Sequence, residues 1–195
     1  MLALSDGIFA FAITLLILNV VVPEGTTTKD LPAALANLWP KYEAFLISFV
    51  VIGLYWFVHV RQFRQIRRFD ERLLWLNLLF LLFIVIIPFS TSVLSNYTGP
   101  LPVVVYAAIM ACAGFTAEGM WLYASLKHRL VSENLSQASI RRGIILNLIS
   151  PIVFTLSIGI AFINAEAAQY SWISIAVFQT VARQVFEQPK ADENI

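Results

Sequence analysis

The chain alternates long apolar stretches with short polar ones. Six stretches approach the roughly 20 mostly apolar residues that a helix needs to cross a bilayer. They are Leu4–Val22, Tyr42–Val60, Leu73–Leu94, Leu101–Leu126, Ile144–Asn164 and Tyr170–Val185. The last is the shortest and carries Gln179 and Arg183 near its end. Pro88 and Pro151 fall inside runs, which lipid-embedded helices tolerate where neighbouring groups satisfy the freed carbonyls. The pattern predicts an all-α polytopic membrane protein with six transmembrane helices. Residues 1–186 form one transmembrane domain and 187–195 a short, polar, disordered tail. In the loop Pro23–Lys41, Leu31–Leu38 reads as a short interfacial helix, and Ser132–Ser139 as a polar segment, helical or mobile. The first run reads as a mature helix. It has no basic leader region, carries Asp6 early, and runs into Val-Val-Pro-Glu instead of a small-residue cleavage site.

Composition supports the membrane reading. Of 195 residues, 59% are hydrophobic and only 13% charged, and mean hydropathy is +0.77. A soluble domain is about half apolar and about a quarter charged, so a soluble enzyme and a disordered chain are both excluded. A net charge of +1 leaves no electrostatic footprint for nucleic acid. The single cysteine, Cys112, forms no intramolecular disulfide.

The 13 basic residues orient the spans. Lys29 and Lys41 follow the first run. Arg61, Arg64, Arg67, Arg68 and Arg72 follow the second, Lys127, Arg129, Arg141 and Arg142 the fourth, and Arg183 and Lys190 lie at the end. The 11-to-2 split alternates as six spans require, and the positive-inside rule places both termini in the cytoplasm. The plasma membrane is the expected location. Trp39, Tyr42, Trp75, Tyr97, Trp121, Tyr123, Tyr170 and Trp172 cluster at the ends of runs, where amphipathic rings collect at headgroup level.

Enzyme signatures are missing. The sequence has no His-Glu-x-x-His helix, no Gly-x-Ser-x-Gly elbow and no phosphate-binding glycine loop. His59 and His128 are its only histidines and make no metal cluster, so neither metal nor cofactor is expected. Familiar channel parts are missing too: no Thr-Val-Gly-Tyr-Gly filter, no arginine-ladder voltage sensor and no interrupted inverted pair of helices.

The first run carries the most information. Ser5 and Asp6 open it, and a carboxylate at a span's entry is costly unless paired or wet. One reading makes either residue a helix cap at the interface. The other joins them to Trp56, His59 and Asn77, which the topology brings to a similar depth. Helical spacing sets Leu4, Gly7, Phe11, Leu15, Leu18 and Val22 on one stripe with Thr14 beside it. The remaining faces are equally apolar, so periodicity does not separate a pore face from a packed or lipid-facing one. Glu118, in the fourth run, either snorkels or pairs with a loop arginine.

Ser5-Asp6-Gly7-Ile8-Phe9-Ala10-Phe11-Ala12-Ile13-Thr14-Leu15-Leu16 resembles the first helix of the transmembrane protein 175 family, the lysosomal potassium channel and its prokaryotic relatives. The second run from Ser48 to His59, with Trp56 and His59, and the third from Asn77 to Pro88-Phe89-Ser90-Thr91 are similar to the family's next two helices. The resemblance covers residues 1–95; beyond them it rests on span count and topology. Of the signature Arg-x-x-x-Phe-Ser-Asp, the Phe is Leu4 here and the Arg would fall one position before Met1.

The resemblance implies a homotetrameric potassium-permeable channel whose first helices line the pore. Rings of apolar side chains, Phe11, Leu15 and Leu18, would narrow it, with a hydroxyl layer from Thr14. Ser5, Asp6, Trp56, His59 and Asn77 would tie the pore helix to its neighbours. The family's usual first layer of Ile or Leu is Phe11 here. Potassium is then the permeant ion, and the partners are other copies of the chain and the lipid bilayer. Two other readings stand beside this one: a proton-permeable pore or proton-coupled carrier using Asp6 and His59, and a non-conducting membrane scaffold.

Overall fold

The computed structural model describes residues 2–186, and the polar tail lies outside the described residues. Eight α-helices follow one another: α1 (Leu2–Leu16), α2 (Leu31–Asn37), α3 (Trp39–Gln65), α4 (Glu71–Asn96), α5 (Pro100–Ser125), α6 (Gln137–Ala161), α7 (Ala165–Ser171) and α8 (Ile173–Phe186). A 3-10 turn, Ile17–Asn19, extends α1. Among the described residues, five helices are long and apolar enough to cross a membrane: α1 with its 3-10 turn, α3, α4, α5 with the turn after it, and α6.

The helix ends follow local chemistry. The first helix with its 3-10 turn ends at Asn19, short of the expected Val22; Pro23 disfavours helical backbone at Val22 and has no N–H to continue the helix. α4 starts at Asp70, whose carboxylate accepts the Leu73 N–H at 2.9 Å. Ser136 does the same for Ser139 N–H at 3.2 Å, so α6 begins seven residues before the apolar run at Ile144 and takes up part of the polar segment. The segment at Leu31 is helical. The last apolar run is divided at Trp172 into pieces of seven and 14 residues. Trp172 is buried, stacks on Tyr106 at 4.9 Å and donates its indole N–H to Ser157 Oγ at 3.0 Å. The chain bends to deliver that ring into the α5–α6 core.

Two packed groups form the bundle. α1, α3 and α4 contact one another, and α5 packs against both α4 and α6. Without a hydrophobic drive in lipid, close helix packing needs small residues at the contact, and α5 supplies Ala107, Ala113, Gly114 and Ala117. At Gly114 a Cβ would stand 2.8 Å from the Cβ of Pro151 on α6, a rigid ring. Gly114→Val should therefore lower stability by about 1–3 kcal/mol, even though valine is a better helix former than glycine. Thermal unfolding in detergent measures this.

The loop after α3 is stitched to the loop after α5. Arg67 N–H donates to Leu130 O at 2.8 Å, and Ile66 and Val131 form an antiparallel bridge. Tyr123 OH donates to Asp70 Oδ2 at 2.6 Å, and the Arg129 guanidinium sits 4.8 Å over the Tyr123 ring. The Tyr123 hydroxyl first, then the Leu73 N–H, holds the Asp70 carboxyl below the usual aspartate range. A depressed folded value contributes stability above the unfolded pKa, about 3.9, and that stability is lost as pH falls through the folded value. Tyr123→Phe should cost on the order of 0.5–1 kcal/mol at neutral pH, and the gap to wild type should close in acid. Unfolding followed across pH checks both.

Candidate functional site

α1 buries one face only. Ser5, Phe9, Ala12 and Leu16 are buried, at the spacing of one helical stripe, against α3 and α4. Phe9 packs its ring 5.7 Å from His59 and 5.9 Å from Phe80.

Polar groups fix the start of this face. Asn77 on α4 donates from Nδ2 to Ser5 Oγ at 3.3 Å, and its Oδ1 lies 2.8 Å from His59 Nε2. His59 is fully buried, stacked on Phe63 at 4.2 Å and on Phe80 at 5.6 Å. With Nε2–H donating to Asn77 Oδ1, Nδ1 is left without a partner. On the flank of α1, Trp56 Nε1–H donates to Asp6 Oδ1 at 2.8 Å. The five polar residues read from the sequence thus form two strings, Ser5–Asn77–His59 and Asp6–Trp56. No hydrogen bond joins Asp6 to His59 among the described residues.

The opposite face of α1 is exposed. At about 100° per residue, Leu4, Gly7, Phe11, Thr14 and Leu18 lie on the side away from the buried stripe, and all five are exposed. Phe11 is 65% exposed and Leu18 is 66%. Leu15 lies at the edge of this stripe, about 60° from its centre, and is half-buried. Thr14 Oγ1 donates to Phe11 O at 2.9 Å within the helix, so its oxygen keeps lone pairs for an outside partner. The far end of α1 is held by Asn19 Nδ2, which reaches Pro88 O on α4 at 3.4 Å.

Several interhelical contacts escaped the sequence reading. Ser48 Oγ lies 2.7 Å from Thr91 Oγ1 and 3.1 Å from Tyr106 OH. Tyr55 OH donates to Met110 O at 2.7 Å. These join α3, α4 and α5 through single hydroxyls in apolar runs, a signal too common to single out from sequence. Glu118 does not snorkel: it is 2% exposed, with Arg61 as a charged neighbour. Among the described residues, no group of three or more His, Cys, Asp or Glu is placed to hold a metal ion.

Known proteins resemble this chain in sequence and fold. The family described as endosomal/lysosomal potassium channel TMEM175 matches residues 1–88. A potassium channel of Streptomyces collinus is 32% identical over 168 residues, 84% of this chain and 82% of that one. The bovine endosomal/lysosomal proton channel TMEM175 is 36% identical over 104 residues, 49% of this chain and 22% of that longer protein. The crystal structure of a lysosomal potassium-selective channel TMEM175 homolog from Chamaesiphon minutus superposes with a TM-score of 0.77 at 26% identity. It covers 92% of this chain and 94% of that one.

Proposed function

The chain belongs to the TMEM175 family, and we propose that it forms a potassium channel in which four copies of α1 surround a central pore. It is a multi-pass membrane protein. One observation supports the pore assignment: α1 is packed on one face, through Ser5, Phe9, Ala12 and Leu16, and leaves an apolar stripe, Leu4, Gly7, Phe11, Thr14 and Leu18, exposed on the other. A single helix cannot enclose a passage, so closure requires copies related by a rotation axis.

In such an assembly Phe11 and Leu18 form the apolar constrictions, with Leu15 at their flank. An apolar ring a few ångströms wide sheds water and so gates. Potassium gives up its water more readily than sodium, and Thr14 oxygens replace part of what is lost. Selectivity is then modest and needs no backbone-carbonyl filter. Ser5, Asp6, Trp56, His59 and Asn77 hold α1 at the angle that sets the aperture. The final apolar run, α7 with α8, completes six spans over residues 1–186. The basic loops face the cytoplasm with both termini, and the plasma membrane is the host bilayer.

Proteoliposomes containing the purified chain should pass potassium faster than sodium. Equal fluxes would remove the selectivity claim. The name of the bovine relative favours a second reading, proton conduction. Asp6→Asn and His59→Ala discriminate: loss of proton flux with potassium flux intact supports a relay. The separation of Asp6 and His59 into two hydrogen-bonded strings favours the potassium reading.

A further inference from the structure

α3 is tied to α5 at two positions one heptad apart. Ser48 Oγ lies 3.1 Å from Tyr106 OH, and Tyr55 OH donates to Met110 O at 2.7 Å. A heptad returns to the same helix face within about 20°, so Gln62 comes next on that face. Gln62 is 3% exposed, and neither its amide nitrogen nor its amide oxygen has a hydrogen-bond partner. Trp121 on α5 lines the same cavity, of about 430 Å³, and is 5% exposed with its Nε1–H unpartnered. Unpaired buried polar groups are costly, and most such groups in native proteins have a partner. The amide offers a donor and an acceptor, the indole a donor only. Water, which both donates and accepts, satisfies all three, and a polar cavity of this size has room for it. Gln65 and Ser139, both exposed, lie at its mouth on the side of the basic loops.

Glu118 stands just behind this cavity. It is 2% exposed, and its carboxyl meets the Asn147 amide with Arg61 nearby. Arg61 and Asn147 both line the cavity, and Arg61 Nη2 donates to Asn147 Oδ1 at 3.0 Å. The carboxyl is thus one side chain away from the cavity wall. An ionisable group within a membrane-spanning helix is expensive to keep and marks function. Burial favours the neutral acid, while a cation nearby favours the carboxylate. Opposed influences of this kind, beside a cleft, are found at groups that exchange protons.

We propose that Glu118 is a proton-binding site, reached by water through this cavity from the side of the basic loops. A proton passes from cavity water to a carboxylate oxygen and back, and no other bond is made or broken. Of the other titratable and charged groups on the helices packed against α5, Arg142 of α6 lines the same cavity. His59 of α3 turns to Asn77 on α4, and Asp70 at the start of α4 accepts from Tyr123. Glu43 of α3 and Glu166 of α7 line a cavity at the other end of α5, with Tyr97 and Gly99. The charge on Glu118 therefore acts first on Arg61, two residues from His59, which holds α1 through Asn77 and Ser5. On the reading that α1 lines the pore, proton binding here alters the potassium current.

Infrared spectroscopy of the full chain in liposomes tests the site directly. The carboxylic C=O band of Glu118 should fade from acid to alkaline buffer, shift within minutes in heavy water, and be missing in Glu118→Gln. Gln62→Leu leaves Glu118 in place and makes the cavity wall apolar, so it should keep the band and slow the heavy-water shift several-fold. A band shared by wild type and Glu118→Gln, a band that ignores pH, or a Gln62→Leu shift as fast as wild type would each overturn the proposal. In planar bilayers, potassium current should change several-fold with pH on the basic-loop side, and Glu118→Gln should flatten that profile while still conducting. A profile that Glu118→Gln leaves unchanged would overturn the coupling to α1. A titrating band with no potassium current in wild type would overturn the channel reading and leave the site standing.

Discussion

Replacing Phe11 with alanine should raise the potassium conductance of reconstituted channels by about tenfold, or on the order of 1.4 kcal/mol off the permeation barrier. Phe11 is the largest side chain on the unpacked face of α1 and is 65% exposed in the subunit. Four such rings around an axis would form the narrowest apolar layer, and a dewetted apolar layer is a barrier to ions. The wider pore should also let sodium through with more of its water, so the potassium-to-sodium ratio should fall as conductance rises. Leu18→Ala should act in the same direction but less, since less bulk is removed. Leu15→Ala should act least of the three, because Leu15 is half-buried at the edge of the exposed stripe. Single-channel recording in planar bilayers gives all three values. Unchanged conductance for both Phe11→Ala and Leu18→Ala would exclude these side chains from the ion path.

Asn77→Ala should lower the stability of the purified protein by about 2–3 kcal/mol. Its amide is the hub between Ser5 and His59, each of which has no other side-chain hydrogen bond in this string. Interhelical hydrogen bonds in membranes are worth roughly 0.6–1.7 kcal/mol each. Two are lost here, and a cavity opens beside the fully buried imidazole. Trp56→Phe should cost less, about 1 kcal/mol or under, because Asp6 and Trp56 both remain exposed. Thermal unfolding ranks the pair. Asn77→Ala should also broaden the distribution of open currents, since the tie that sets the tilt of α1 is gone. Equal stability losses in the two variants would contradict a buried hub with an exposed flank.

Much of this was legible in the sequence. Long apolar runs and terminal aromatics give the helices directly, because the bilayer imposes both. Ser5, Asp6, Trp56, His59 and Asn77 stand out as polar residues in or at the ends of apolar runs, where each needs a partner, and the structure pairs them in two strings. The unpacked face of α1 was not legible. Every face of that helix is apolar, and only the neighbours on α3 and α4 select Ser5, Phe9, Ala12 and Leu16 for burial. That selection moved Leu15 to the flank. The bend at Trp172 was hidden for a similar reason: hydropathy runs through it, and the cause is a tertiary stack on Tyr106. Glu118 and Trp121 also gave little warning, since their burial depends on how closely α6 packs on α5, with Gly143 against the Trp121 ring.

The central claim is that the exposed face of α1 borders the ion path. Phe11→Cys in a Cys112→Ser background, assayed for potassium flux before and after a membrane-impermeant, thiol-reactive cation, tests it most directly. Val85→Cys, on the exposed side of α4, serves as the comparison. The account predicts block at position 11 and undiminished flux at position 85. Undiminished flux at position 11, with complete labelling shown by mass spectrometry, would contradict it.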